Sequence, residues 1–282
     1  MANRYRMDLT KSAINKVNIE YSHINNLGDS LAPIVVQWML EREGIPVDRN
    51  VGQTRHFVTI GSIVYRGVYD ATIWGAGILN QNSAKILLAQ RGLRKLDVRA
   101  VRGPRTRDAL VQAGFTCPEV YGDPAILLPY IYPNETLNRG NRIGLILHHA
   151  TALKGEEYNK EFKCISMLTT DYKQFLYDLT ECRVVISSSL HGIILAESYG
   201  IPAIYLWEDG PVGEQGVKFS DWYESTGRNG IEACTSIEQA LEADPPELPS
   251  LDFMRGKLMA TFPYDIWNNS VNESLKTEYL KG

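Results

Sequence analysis

Short apolar runs alternate with stretches of helical periodicity along most of the chain. Residues 17–21 read as a strand, the polar loop HINNLGD follows, and residues 31–43 carry the spacing of an apolar helix. Residues 57–60, 72–74 and 98–101 read as further short strands. The last of them leads into RGPRTRDALVQAG, a helix with Pro104 in its first turn and Gly114 as its stop. A polar, proline-bearing stretch over residues 132–142 interrupts the pattern and reads as a linker. The alternation then restarts, with strands predicted at residues 143–147, 164–168, 183–186 and 202–206. Helices are predicted at residues 171–181, with Asp171 as cap, and at 190–199, 219–226 and 237–243. Residues 253–264 form a last predicted helix, expected to pack back on the N-terminal half.

Strands this short and apolar, separated by helices, belong in parallel sheets covered on both faces. Two such runs, split at residue 138, predict an α/β chain of two Rossmann-like, doubly wound domains, residues 1–138 and 139–282, facing a cleft. In such sheets ligands sit beyond the carboxyl ends of the strands, so the loops that follow strands are the places to look.

Four loops carry candidate chemistry. In SSSLHG, a strand stops at Ser187, Ser188 and Ser189, and a helix begins with Leu190, His191 and Gly192. Hydroxyls beside a helix N-terminus suit an anion, and an imidazole in the first turn can give or take a proton there. The same spacing also fits serines that only cap and a histidine that only packs. In HINNLGDSLAPIV, Asn25, Asn26 and Gly28 make the loop, and Asp29 fits a helix N-cap whose carboxylate can also serve as a general base toward a sugar hydroxyl. In DVRAVRGPRTRD, Arg99, Arg102, Arg105 and Arg107 crowd together, and Arg102 at the strand end is expected to aim a guanidinium at the cleft. A solvated basic helix face suits Arg107 better. In IWGAGI, Gly75 lets a backbone approach a ligand, but the match to a dinucleotide fingerprint is incomplete. Beyond these, Asp123 reads as a turn residue before Pro124. His148 and His149 line the cleft after a strand without making a metal site on their own. Lys218 precedes a helix where it either meets an anion or is a plain surface lysine.

Composition narrows the function. The chain is 44% hydrophobic and 22% charged, with a formal net charge of -4, so it lacks the basic excess of a nucleic-acid binder. The start, MANRYRMDLTKSAINK, has no apolar secretion-signal core, and no run approaches the ~20 apolar residues of a membrane-spanning helix. Cys117, Cys164, Cys182 and Cys234 lie far apart without CxxC spacing, which predicts reduced thiols in a cytoplasmic protein.

The ordered motifs NNLGD (25–29), WGAG (74–77), VRGPRT (101–106), YGDPA (121–125), IGLILHH (143–149), SSSLHG with its trailing helix and GIPA (187–203), and KFSDWYES (218–225) resemble the polysaccharide pyruvyl transferase family over residues 17–227. The resemblance implies a fold similar to GT-B glycosyltransferases, with the acceptor on the N-terminal and the donor on the C-terminal domain. It implies transfer of the enolpyruvyl carbons of phosphoenolpyruvate to two hydroxyls of one sugar, with release of phosphate and no cofactor or metal. The implied setting is capsular or exopolysaccharide biosynthesis. The implied acceptor is a hexose such as galactose on a lipid-linked oligosaccharide, at the cytoplasmic face of a membrane. By the same resemblance the donor falls to His191 and to Arg102 or Arg105, and catalysis to Asp29; His191, Asp29 and Arg102 are expected to be catalytic. Asn26, Gly28, Gly75, Arg105, His148, Ser188, Ser189, Leu190, Gly192 and Lys218 are expected to bind substrate. Some relatives carry arginine before the Leu-His pair; here Ser189 stands there, so a donor contact must come from Lys218 or Arg105.

The chemistry agrees with this expectation. Phosphoenolpyruvate carries a carboxylate and a phosphate, which call for arginine and a helix N-terminus. Its methylene carbon must be protonated, a role expected of His191, while Asp29 activates the attacking hydroxyl. Trp207, Trp222 and Tyr223 are expected either to stack on sugar rings or to pack in the core. The aromatic residues of 262–267 are candidates for touching a membrane interface. Two rival readings remain at this level. One is a GT-B-type glycosyltransferase whose nucleotide ribose would be held by Glu208 or Asp209. The other is a non-catalytic sugar-binding component of a polysaccharide assembly complex.

Overall fold

The computed structural model describes residues 13–14, 17–21, 25–45, 55–133, 140–151, 158, 161–208 and 216–267. The expected domain boundary at residue 138, and Asp209, lie outside them. The described chain is α/β, with two sheets whose core strands are all parallel. The first holds β1 (Ala13–Ile14), β2 (Val17–Glu20), β3 (Arg55–Val58), β4 (Ala71–Trp74) and β5 (Leu96–Ala100), in that spatial order. Only β1, at the edge, runs antiparallel to its neighbour. The second holds β6 (Arg142–Ile146), β7 (Lys163–Cys164), β8 (Cys182–Ser187) and β9 (Ala203–Tyr205), in the order β7-β6-β8-β9. Both sheets are consistent with Rossmann-like halves.

The helices follow from local signals with some shifts. Helix α1 (Leu27–Arg42) starts at Leu27 rather than residue 31, because Leu27, Gly28 and Asp29 are themselves buried in its first turn. Helix α2 (Gln81–Ala89), absent from the sequence reading, is capped by the Asn80 side chain on the Ser83 amide. Helix α3 (Pro104–Gln112) has proline in its first turn, and Gly114 beyond its end adopts φ +85°. A 3-10 turn, Pro124–Leu127, runs into the short α4 (Leu128–Ile131). Helix α5 (Tyr172–Thr180) is capped by Asp171, whose carboxylate accepts from the Gln174 amide. Then come α6 (Leu190–Ser198), α7 (Gly216–Ser225), α8 (Ile237–Glu242) and α9 (Asp252–Ala260).

One large core spans both sheets. It runs from Val17 and Ile19 through the inner face of α1 and residues 125–128 to Val185 and residues 193–196. Separate apolar layers cover the other face of each sheet. Backbone and side-chain bonds join the halves: the Leu27 amide donates to the Met167 carbonyl (2.9 Å), and the Tyr199 hydroxyl to the Tyr132 carbonyl (2.8 Å).

The C-terminal segment lies on the first sheet. The Trp74 indole donates to the Leu258 carbonyl (3.0 Å), and Phe262 packs edge-on against Trp74 at 4.9 Å. Tyr264 is half-buried, whereas Phe262 and Trp267 are only 4% and 5% exposed, which corrects for those two the expectation that aromatics of this segment touch a membrane. They complete the apolar cover over Phe57 and Trp74 instead. Among the described residues, no helix is long and apolar enough to cross a membrane.

Topology singles out one place for a ligand. From β6 the chain steps to β7 on one side, then crosses back to β8 on the other. Loops leaving the carboxyl ends of β6 and β8 therefore diverge, the arrangement beside which open α/β sheets hold their ligands. Those two loops carry His148 and His149, and the three serines with His191.

Candidate active site

Helix α6 is apolar nearly all round, so it is buried nearly all round; Leu190, Gly192 and every residue from Ile193 to Ser198 are covered. His191 keeps the open side chain of its first turn, and even that is only 12% exposed. Its Nε2 lies 3.5 Å from Oδ2 of Asp123, at the outer reach of a hydrogen bond. Neither atom has a hydrogen-bonding partner among the described residues, and both are buried. The other carboxylate oxygen of Asp123 accepts from the Ala125 amide (3.0 Å), which fixes the group at the head of the 3-10 turn. Asp123 is thus a turn residue, as its sequence suggested, and also the carboxylate that faces the imidazole. With Nε2 directed at Asp123, Nδ1 is the nitrogen turned toward Gly28.

Gly28 sits against the ring so closely that a Cβ there would fall 2.0 Å from His191 Nδ1. The glycine of the NNLGD loop is therefore required by a residue far along the chain. Gly28→Ala is expected to push the imidazole aside and lower turnover by about 100-fold, the usual cost of a misplacement near 1 Å. Steady-state kinetics beside a thermal melt would check this, since the melt should move far less than the rate.

Asp29 is the third residue of α1 and not its cap; Asn26 holds the cap position, and its amide donates to Asp29 Oδ2 (2.9 Å). Burial pushes the Asp29 carboxyl above the usual carboxylate range, opposed in order by the charge of His191, the Asn26 hydrogen bond, and the charges of Arg66 and His149. A buried carboxyl beside an imidazole is the pairing general acid–base chemistry needs.

Lys218 is buried at the start of α7, 6% exposed, which removes the plain-surface alternative. Burial brings its ammonium down to about 7, assisted by the charge of Arg102 and opposed by Asp29 and Glu208. His149 is held below the usual imidazole range by burial, with Asp29 raising it and Lys218 lowering it. Glu208 accepts a hydrogen bond from the Ser188 hydroxyl, whose oxygen in turn accepts from the His148 amide (2.8 Å). The structure thus brings His191, Asp29, Asn26, Gly28, Ser188, His148 and Lys218 into one cluster. Arg66, His149, Glu208 and Asp123 join it.

Other expected site residues are engaged elsewhere. Arg102, expected to face a cleft, has no exposed surface. Its Nε donates to Asp221 Oδ2 (3.1 Å), Nη1 to Ser62 (2.7 Å) and Nη2 to the Ile78 carbonyl (2.6 Å). A guanidinium so deep needs a counter-charge, and Asp221 on α7 supplies it. Arg105 forms a bidentate pair with Glu224 at the surface, Nη2 to Oε1 being 2.6 Å. Gly75 packs on the Pro124 ring, where a Cβ would lie 2.3 Å from Cδ, and Gly77 packs on the Arg102 guanidinium. The glycine turn therefore answers protein neighbours. Ser189 occupies the N-cap of α6, but its side chain makes no capping bond. Gly192 backs onto the Ser187 hydroxyl and Ile146, and Leu190 is core. Trp222 and Tyr223 are core residues too, and Trp207 is half-buried.

Among the described residues, no three His, Cys, Asp or Glu side chains converge as a metal site needs. Two cavities, of about 250 and 240 Å³, lie at the far end of α6 from His191, around Tyr199 and Ser198. They are separate from the cluster.

A curated relative, the uncharacterized protein L143 of Acanthamoeba polyphaga mimivirus, is 27% identical over 242 residues, covering 80% of this chain and 81% of that protein. Residues 70–210, half of the chain, match the family model described as polysaccharide pyruvyl transferase. That span holds Asp123, His148, His149, Ser188, His191 and Glu208, while Asp29 and Lys218 lie outside it. The chain belongs to the polysaccharide pyruvyl transferase family, and so among transferases that act on polysaccharide.

Proposed function

We propose that the chain transfers pyruvate from phosphoenolpyruvate to two hydroxyls of one sugar residue, releasing phosphate and leaving a cyclic ketal. The observation that carries this reading is the meeting of His191, Asp29 and Lys218 in one buried cluster beside the carboxyl ends of β6 and β8. Protonating the donor's methylene carbon makes its central carbon electrophilic, and His191, facing Asp123, is the acid for that step. Asp29 accepts the proton of the attacking hydroxyl; its raised affinity for protons suits a base that works near neutrality. Phosphoenolpyruvate is polyanionic. With Arg102 and Arg105 committed to Asp221 and Glu224, its cations are Lys218 and Arg66, whose charges both act on the Asp29 neighbourhood.

In this reading the two halves resemble a GT-B arrangement and face one another across a cleft. The first sheet offers the acceptor side and the second the donor side. The acceptor is a hexose such as galactose on a lipid-linked oligosaccharide, met at the cytoplasmic face of a membrane during capsule or exopolysaccharide assembly.

The test is phosphate release from phosphoenolpyruvate across a panel of β-galactosides and other hexosides. Acceptor-dependent release, with a ketal methyl signal in the product, is the expected result. No release with any acceptor, together with thermal stabilisation by a UDP- or CMP-sugar, would replace this reading with a glycosyltransferase. Binding of oligosaccharide without any effect of phosphoenolpyruvate would replace it with a sugar-binding component.

A further inference from the structure

The reaction moves two protons: both leave sugar hydroxyls, and one arrives at the methylene carbon and the other at the departing phosphate. His191 and Asp29 serve the first addition, one giving and one taking, and the charge of His191 acts on Asp29, which couples the two. The second half still needs a donor for the phosphate and an acceptor for the second hydroxyl. One group can do both if it gives first and takes second.

We propose that Lys218 is that group, the acid–base residue of the second half of the reaction. This rests on the pyruvyl-transfer reading above. The placement is geometric. Lys218 and Asp221 stand three residues apart on α7, hence on one face, and Asp221 is bound to Arg102 at the end of β5. That bond carries the Lys218 ammonium to the strand ends. There the charges of Arg102 after β5, Asp29 on α1 and Glu208 after β9 act on it, and its own charge acts on His149 in the loop after β6. On its own helix the ammonium stands 5.2 Å from the Phe219 ring.

In the step, the bond between the ketal carbon and the phosphate oxygen breaks, its electron pair leaving with the phosphate, which takes a proton from the Lys218 ammonium. The neutral amine then takes the proton of the second hydroxyl as that oxygen bonds to the same carbon. The products are the ketal and hydrogen phosphate, and the ammonium is restored. Burial beside Arg102 brings Lys218 to about 7, so both forms are accessible under one condition.

The experiment follows phosphate release and deuterium entry at the methylene carbon of phosphoenolpyruvate in D₂O, with an active acceptor. It compares wild type with Lys218→Arg and Lys218→Met. Arginine keeps the charge but does not release its proton; methionine keeps the apolar stem. Both variants are expected to release phosphate roughly 100- to 10,000-fold more slowly, and Lys218→Arg, which keeps the cation that meets the donor, is expected still to exchange deuterium into it at saturating phosphoenolpyruvate. Phosphate release within threefold of wild type in either variant overturns the assignment. So does loss of deuterium exchange in Lys218→Arg at saturating phosphoenolpyruvate when that variant melts normally, because Lys218 would then act before the second half. Wild type alone gives a further reading: kcat/KM for phosphoenolpyruvate should fall as pH rises through about 7, and a profile flat to alkaline pH overturns the proposal. A wild type that releases no phosphate with any acceptor overturns the pyruvyl-transfer reading itself, and this role with it.

Discussion

His191→Ala should lower phosphoenolpyruvate turnover by roughly 100- to 10,000-fold, the contribution usual for one positioned proton donor. The fold should survive. The residue occupies the partly open position in the first turn of an otherwise covered helix, and alanine is the best helix former. The variant removes only a 3.5 Å approach to Asp123 Oδ2, which accepts no hydrogen bond among the described residues, so the expected cost is about 1 kcal/mol or less. That is measurable in urea but far smaller than the kinetic effect. The rate should fall in kcat, with the Michaelis constant for phosphoenolpyruvate little changed, because the imidazole acts as charge moves and not as the donor binds. Turnover at the wild-type level would remove His191 from the mechanism. A rise in the Michaelis constant alone would make it a binding residue.

The second large effect concerns stability. Asp221 has no exposed surface and accepts from the Thr106 amide (2.9 Å), the Thr106 hydroxyl (2.7 Å) and Arg102 Nε (3.1 Å). It sits at the N-terminus of α3, where a carboxylate also meets the favourable end of the helix dipole. Asp221→Ala leaves the Arg102 guanidinium buried without its counter-charge, which typically destabilises by ~3–5 kcal/mol. A comparable loss is expected for Arg102→Ala. The pair Arg102→Met with Asp221→Leu should recover much of that loss, since apolar replacements of similar volume are often tolerated where half of a pair is not. Denaturant midpoints for the three variants decide it. Single variants no less stable than wild type would show that the pair is not what joins α7 to the first sheet.

This pair also marks where reading the sequence stops. Arg102 at a strand end, before Gly103 and Pro104, looks like a ligand-binding arginine, and nothing nearby contradicts that. Its partner lies 119 residues further on. The same holds for Asp123, whose local role before Pro124 is legible while its approach to His191 is not. Gly28 reads as a loop glycine beside a substrate, yet its reason is the imidazole pressed against it. Local signals did their part well. Alternating apolar runs located the eight parallel strands, and proline and Gly114 bracketed α3. Helix α2 escaped because it buries only Ser83 and Leu87 and leaves Leu88 53% exposed, so its apolar positions trace no clear stripe. Periodicity reports which face is covered; it carries no record of which distant charge an isolated polar residue will meet.

The core that passes without a break from the first sheet through α1 and residues 125–128 into α6 limits how relatives could exchange parts. A chimera that joined one protein's N-terminal half to another's C-terminal half would cut through a single interdigitated apolar layer and mismatch its volumes. Such a hybrid should melt well below either parent unless α1, residues 125–128 and α6 travel together. Changes of acceptor within the family are therefore expected to come from loops at the strand ends, grafted onto a scaffold inherited whole.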